Sequence, residues 1–373
     1  MKDHPVEVAN PGSAAAVGPP MGLLAELTHR CPLRCPYCSN PLELERRSLE
    51  LTTSEWQRVL SEAAALGVLQ IHLSGGEPTR RSDLETLIDH CRDAGLYSNL
   101  ITAGVGLADG RLDRCAEAGL DHVQLSIQAS EPELNDDVSG RPGSFAEKMD
   151  TAGTIGRLGL PLTVNFVVHR RTIHCLSDMI DMAVALGARR LEVAHAQYYG
   201  WALKNRQALM PTRAQVQEAV AVVDAARERL KGSLVIDSVI PDYYARYPKP
   251  CMGGWARQSL NITPSGKALP CHAAETIPDV SYPNIREASV ASIWYESKAF
   301  NRFRGTDWMP DLCRTCDRRE IDWGGCRCQA LAIVGDAAET DPACEKSPWH
   351  QSLIELAVRN SDSDAPYMYR GYN

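Results

Sequence analysis

From Leu23 to about His195 the chain alternates two hydrophobic periodicities. Short runs of strand type are Leu23–Leu27, Gln70–Leu73, Tyr97–Thr102, His122–Gln128, Leu162–Val168 and Leu191–Ala194. Between them apolar side chains recur at helical spacing. Trp56, Val59, Leu60 and Ala63 form one such stripe; Leu84, Leu87, Ile88 and Cys91 a second; Leu176, Met179, Ile180 and Ala183 a third. Glycines close four of the helical patterns just before the next strand, at Gly67, Gly95, Gly119 and Gly187. Glycine adopts the left-handed backbone of a helix C-cap without a Cβ clash. Successive strand–helix units predict a parallel sheet with right-handed crossovers. Six units fall short of a closed eight-stranded barrel. The expected fold is α/β, an open partial (β/α)6 barrel with functional loops at the C-terminal ends of its strands. A helix over 214–230 and a strand over 234–239 are predicted beyond it.

The texture changes near Pro241. Residues 251–350 contain few long periodic segments but seven cysteines. Such a stretch is expected to build little apolar core and to need metal to hold it. Four parts follow: a mobile leader over 1–21, rich in Pro, Gly, Ala and Ser; a core with its linking helix over 22–240; a cysteine-rich domain over 241–350; and a tail over 351–373. No internal repeat is visible in the second half.

Composition narrows the function classes. The chain has 373 residues, a net charge of −8, 44% apolar and 23% charged residues. That is the profile of an ordinary folded protein. The acidic balance argues against a nucleic-acid or anionic-membrane partner. The longest apolar run, Leu160–Val168, is interrupted by Thr163 and Asn165, and a membrane span needs about 20 apolar residues. The N-terminus lacks the apolar segment of a signal peptide, so a cytoplasmic location is expected. In that reducing compartment the thirteen cysteines are not expected to form disulfides. Cys91, Cys115 and Cys175 stand alone in helical patterns and read as buried inert thiols. The remaining ten are clustered, and clustered reduced thiols point to metal.

The first cluster is Cys31-Pro32-Leu33-Arg34-Cys35-Pro36-Tyr37-Cys38, directly after the first predicted strand. Three thiolates on one tight loop suit a four-iron cluster with one iron left open; iron–sulfur clusters otherwise take four cysteines. A zinc knuckle completed by His29 is the alternative. The second strand ends in Ser74-Gly75-Gly76-Glu77-Pro78. Paired glycines let the backbone approach a small ligand closely.

This pairing of motifs resembles the radical S-adenosylmethionine (SAM) enzymes. The resemblance implies that Cys31, Cys35 and Cys38 hold a 4Fe-4S cluster whose open iron chelates SAM. It implies that Tyr37 and the backbone of Gly75, Gly76, Glu77 and Pro78 contact SAM. Thr102, Ser126, Gln128, Arg141 and Asn165 are the candidates for its ribose and carboxylate contacts. The turn after the third strand reads Thr102-Ala103-Gly104, without the Asn usual in the family.

In the second half the cysteines run Cys251, Cys271, Cys313-x2-Cys316, Cys326-x-Cys328 and Cys344. Read alone, this spacing also suits two zinc sites. Joined to a radical SAM core, it resembles the SPASM extension, which carries two auxiliary iron–sulfur clusters (4Fe-4S or 2Fe-2S). Asp322 stands where that pattern expects a cysteine, and Cys328 is an added thiol. The implied partition is Cys251, Cys271, Cys326 and Cys328 for one cluster. Cys313, Cys316, Asp322 and Cys344 would hold the other.

The run Leu23 to Pro41, the Asp322 departure, the Cys326–Cys328 pair and Trp255 to Asn261 are similar to the branch of the family that serves pyrroloquinoline quinone (PQQ) biosynthesis. That likeness implies an oxidoreductase joining a Glu and a Tyr side chain of a ribosomal precursor peptide through carbon. It further implies a small peptide-binding chaperone that presents the peptide, and an electron donor such as a flavodoxin. Another SPASM peptide modifier (a sulfatase maturase or a thioether-forming enzyme) and a non-catalytic iron–sulfur electron carrier are the alternatives. No general base is identifiable; His195, Tyr198 and Tyr199 face the expected substrate opening.

Overall fold

The computed structural model describes residues 17–371. Seven parallel strands follow one another in order across a single sheet. They are β1 (Gly22–Thr28), β2 (Gln70–Gly75), β3 (Tyr97–Thr102), β4 (His122–Ser126), β5 (Leu162–Val168), β6 (Arg190–His195) and β7 (Val235–Val239). The sheet does not close on itself, so the partial barrel read from the periodicity is the fold observed. The four glycines all take positive φ, between 72° and 103°. Most outward strand positions are apolar: Ile71, Leu73, Leu100, Val123, Leu125, Val164 and Leu191 are all 0% exposed. They pack under the helices, among them Thr53–Leu66 and Leu176–Ala185. Cys91, Cys115 and Cys175 lie in this core.

The opposite face alternates to polar side chains. Asn165 and Gln124 both donate to Glu192, each at 2.8 Å. Asn99 in turn reaches Gln124 and His72. A closed eight-stranded barrel fills its interior with apolar layers. Here the inner face mixes these polar side chains with Leu24, Ile101, Val167 and Ala194, which line an open cavity.

Three expectations are corrected. First, residues 251–350 do build apolar core. Trp255, Leu260, Ile262, Ile293, Trp294, Phe300 and Phe303 are buried in the same cluster as the strands. Strand β8 (Ser259–Ile262) pairs in parallel with β1, and β9 (Ala268–Leu269) pairs antiparallel to β8. The cysteine-rich half thus extends the core sheet rather than standing apart from it. Second, 351–371 is no loose tail. The helix His350–Ser361 buries Leu353 and Ala357, and Tyr367 joins the same cluster. Third, the part of the expected leader that is described, residues 17–21, packs on the core: Trp294 donates to Gly18 O at 3.0 Å, and Met21 N donates to Gln258 O at 2.8 Å. The rest of the leader expected over 1–21, residues 1–16, lies outside the described residues.

Candidate active site

The cysteine loop leaves the C-terminal end of β1 and enters the mouth of the half-barrel. The next strand end crosses close behind it. A Cβ on Gly75 would collide with Thr28 O, and one on Gly76 would come within 2.6 Å of His29 O and Arg30 O. The paired glycines therefore serve a backbone-on-backbone crossing. Gly76 N donates to Thr28 O at 2.6 Å and Glu77 N to Arg30 O at 2.8 Å.

One cavity gathers Cys31, Cys35, Cys38, Tyr37, Gly75, Gly76, Ser126, Gln128 and Asn165. The Tyr37 hydroxyl meets the Gln128 amide, and burial pushes the phenol well above its usual range. Among the described residues, the buried Gln128 Oε1 atom has no partner. His195 lines the same cavity. Burial lowers its imidazole to about 4, so it is neutral near pH 7.

Four candidates do not line the cavity. The Glu77 carboxylate is fully buried and accepts from Thr79 N (3.2 Å), Thr79 Oγ1 (2.8 Å), Thr102 Oγ1 (2.8 Å) and Ala103 N (2.7 Å). Thr102 is thereby turned onto Glu77. Pro78 opens the short helical turn Pro78–Arg80 and is buried. The Arg141 guanidinium is held by Glu147 at 2.6 Å.

Sequence reasoning missed Lys148. It is fully buried, and its Nζ donates to Ala103 O (2.6 Å) and Ser126 O (2.8 Å). It ties the ends of β3 and β4 together beneath the cysteine loop. Burial lowers it to about 8, against the pull of Cys35, Glu77 and Cys31 nearby. A lone lysine in a helical pattern carries no signal of this. His272 was missed too, although it follows Cys271 directly. Its imidazole meets the Tyr199 hydroxyl, and both line the cavity.

The three loop thiols fit a metal cluster better than they fit nothing. Burial pushes Cys31 up to about 12 and Cys35 to about 11, and raises Cys38. Such thiols ionise only beside a strong cation, and iron supplies one. In the second half, the thiol of Cys251 meets those of Cys271 and Cys326, and Cys328 meets the same two. The four form a closed ring. Cys313, Cys316, Asp322 and Cys344 line one separate cavity. Asp322 also receives Arg318 at 3.3 Å and Gly324 N at 3.2 Å. Among the described residues no three such side chains stand close enough for a single metal ion.

Known proteins agree with this layout. The radical SAM superfamily model matches residues 25–183, and the SPASM iron–sulfur cluster-binding domain model matches 251–317. A PqqA peptide cyclase of Methylobacterium nodulans is 61% identical, over 94% of this chain and 93% of its own. The PqqA peptide cyclase of Rhodopseudomonas palustris is 58% identical, over 96% of both chains. Among solved structures, Streptococcus suis SuiB bound to S-adenosylmethionine superposes with a TM-score of 0.72 at 19% identity, over 88% of this chain and 76% of that one. Native anSMEcpe with bound AdoMet gives 0.60 at 15% identity, over 91% and 100%. Both share the fold.

Proposed function

The chain belongs to the PqqA peptide cyclases, radical SAM enzymes with a SPASM extension, and on that premise we propose that it joins a Glu and a Tyr side chain of the PqqA precursor peptide through a carbon–carbon bond. The observation that carries this reading is a single cavity. It runs from the three loop cysteines, past Gln128 and Asn165, to Tyr199 and His272 beside the ring of four thiols. A peptide in it lies between two candidate cluster sites.

Cys31, Cys35 and Cys38 would hold the 4Fe-4S cluster that binds SAM. Cys251, Cys271, Cys326 and Cys328 would hold one auxiliary cluster, and Cys313, Cys316, Asp322 and Cys344 the other. With SAM bound, these groups would supply the electron and the radical chemistry that removes one hydrogen atom from the peptide, and an acceptor for the second electron it gives up. The chain's own residues orient and enclose. The Gly75–Gly76 backbone, which lines the cavity, would contact SAM. Gln128 Oε1 and the Asn165 amide offer an acceptor and a donor to its ribose and carboxylate. Tyr37 closes the loop side against Gln128. Lys148 and Glu77 hold three strand ends in place behind them.

The same likeness supports a small chaperone that presents the peptide, a low-potential electron donor and a cytoplasmic location. No helix among the described residues is long and apolar enough to cross a membrane. The test is mass spectrometry of the precursor peptide after incubation with the protein, SAM and reductant. The product should be lighter by two hydrogens and linked between Glu and Tyr. In a Cys31→Ala/Cys35→Ala/Cys38→Ala variant, product and 5′-deoxyadenosine should both vanish while iron persists in the C-terminal half. 5′-Deoxyadenosine made by that variant would refute the assignment.

A further inference from the structure

Joining the Tyr ring to carbon displaces a ring proton, and a single carboxylate stands in the cavity to receive it. Glu26, in β1, lines that cavity together with the loop cysteines, Tyr199 and His272. Among the described residues it is the only Asp or Glu on the wall, and no Lys or Arg lines it. Glu26 sits opposite Ser74 of β2 on one side of its strand. On the other side β1 pairs with β8, and Asn261 of that strand donates from Nδ2 to Glu26 Oε1 at 3.2 Å. β1 leads into the Cys31–Cys38 loop, and β8 leads through β9 to Cys271 and His272. Glu26 therefore stands at the seam between two candidate cluster sites.

Its hydrogen bonds hold it as an acceptor. Glu45 N donates to His29 Nδ1 at 3.0 Å, so Nε2 is the ring nitrogen that carries the hydrogen. That Nε2 donates to Glu26 Oε2 at 3.4 Å. The Asn261 amide is buried, and its Oδ1 has no partner among the described residues. Glu26 thus sets which way that amide points. Both Glu26 oxygens accept, the pattern of a carboxylate and not of a carboxylic acid, and each has a lone pair to spare. The other bases on the wall are less suited. Burial lowers His195 to about 4, which makes it a weak proton acceptor near pH 7. His272 is engaged by the Tyr199 hydroxyl.

We propose that Glu26 is the proton acceptor of the cross-linking step, taking the hydrogen that the substrate Tyr ring must give up. The inference rests on the proposed function, which requires that proton to leave. One bond forms, between the Glu side-chain carbon and a ring carbon, and one ring carbon–hydrogen bond breaks. The proton goes to a Glu26 oxygen, and the electron left on the ring goes to an oxidised auxiliary iron–sulfur cluster. His29 and Asn261 act through Glu26 as positioning residues. A base held in place in this way contributes about 10²–10⁴-fold to a proton transfer.

The test uses the full-length, cluster-loaded protein, SAM, reductant and a precursor peptide deuterated at the Glu side-chain carbons. Wild type sets the reference ratio of cross-link to deuterated 5′-deoxyadenosine. Glu26→Gln keeps the shape of the side chain and cannot take the proton. It should bind the peptide with near wild-type affinity, measured without reductant, and still yield deuterated 5′-deoxyadenosine. Its cross-link per 5′-deoxyadenosine should fall by about tenfold or more. Glu26→Asp keeps a carboxylate and should recover part of that ratio. In Glu26→Ala, added acetate should raise the ratio with its concentration, which a merely structural role would not produce. Should the Gln variant fail to load iron, the Asp variant and the acetate series decide. A Gln variant with the wild-type ratio overturns the proposal, as does one whose loss follows a loss of peptide affinity. So does an Ala variant that acetate leaves unchanged while Asp recovers nothing. Wild type that forms no Glu–Tyr bond would instead count against the proposed function.

Discussion

Glu77 and Thr102 are joined side chain to side chain at 2.8 Å beneath the mouth of the half-barrel. The bond fastens the end of β2 to the end of β3, and neither side chain lines the cavity. Glu77 is buried, which raises its carboxyl, and Ala103 N, Thr79 and Thr102 all donate to it against that trend. Removing it leaves buried donors unpaired. Glu77→Ala should cost about 1–3 kcal/mol and weaken SAM binding by letting the turn move. Thr102→Val should cost about 1 kcal/mol and leave SAM affinity near wild type. Denaturant titration and SAM binding together decide it. Loss of SAM binding in Thr102→Val with stability intact would mean that Thr102 touches SAM.

Much of this site is legible in the sequence because its chemistry sits at strand ends. The period-2 and helical patterns locate β1 to β7, and the positive-φ glycines mark the helix ends. Cys31, Cys35, Cys38 and the Gly75–Gly76 turn are short motifs whose meaning is local. Glu77, Thr102 and Lys148 act across strands, and no spacing along the chain encodes such a contact. Thr102 was placed at the cavity because strand-end position alone says nothing about which way a side chain turns. Strand β8 was missed because Ser259–Ile262 is only four residues long and gains its apolar surroundings from β1, far away in sequence.

The shared core changes what metal removal does. Trp255, Trp294 and Phe300 pack with the strands, so residues 255–304 should stay protected from hydrogen exchange in iron-free protein. Residues 311–347 carry five of the seven second-half cysteines and only short helices of four to eight residues. They should exchange quickly without iron. Equal protection of both segments would show that ligation contributes little there.

Asp322 shares a cavity with Cys313, Cys316 and Cys344. A carboxylate donates less charge to iron than a thiolate, and ligation tunes cluster potential. Asp322→Cys should keep the cluster and change its potential and spectrum. Asp322→Ala should open an iron to water. SAM cleavage should survive both changes, and cross-linking should fall. Electron paramagnetic resonance in the background lacking the first cluster reads this directly. An unchanged signal in both would reduce Asp322 to the turn contacts it makes with Arg318 and Gly324.

Two buried histidines set an acid limit. Burial lowers His169 to about 3 and His195 to about 4, against an ordinary value of 6.5. Among the described residues, neither ring nitrogen of His169 has a partner. Both are neutral when folded and bind protons more readily when unfolded. Their contribution is therefore complete above pH 6.5 and is lost as pH falls from 6.5 toward 4. His169→Phe should flatten that fall in iron-free protein, as measured by denaturant midpoints across the pH range. An unaltered slope would place the acid sensitivity elsewhere.

The central claim is that a radical formed beside the Cys31–Cys38 loop takes hydrogen from a Glu side chain, which then bonds to Tyr. A precursor peptide deuterated at the side-chain carbons of that Glu tests it most directly. With protein, SAM and reductant, deuterium should appear in 5′-deoxyadenosine, and the peptide should carry a Glu–Tyr carbon bond. Deuterium-free 5′-deoxyadenosine alongside a peptide that is unchanged, or linked at another residue, would contradict the account.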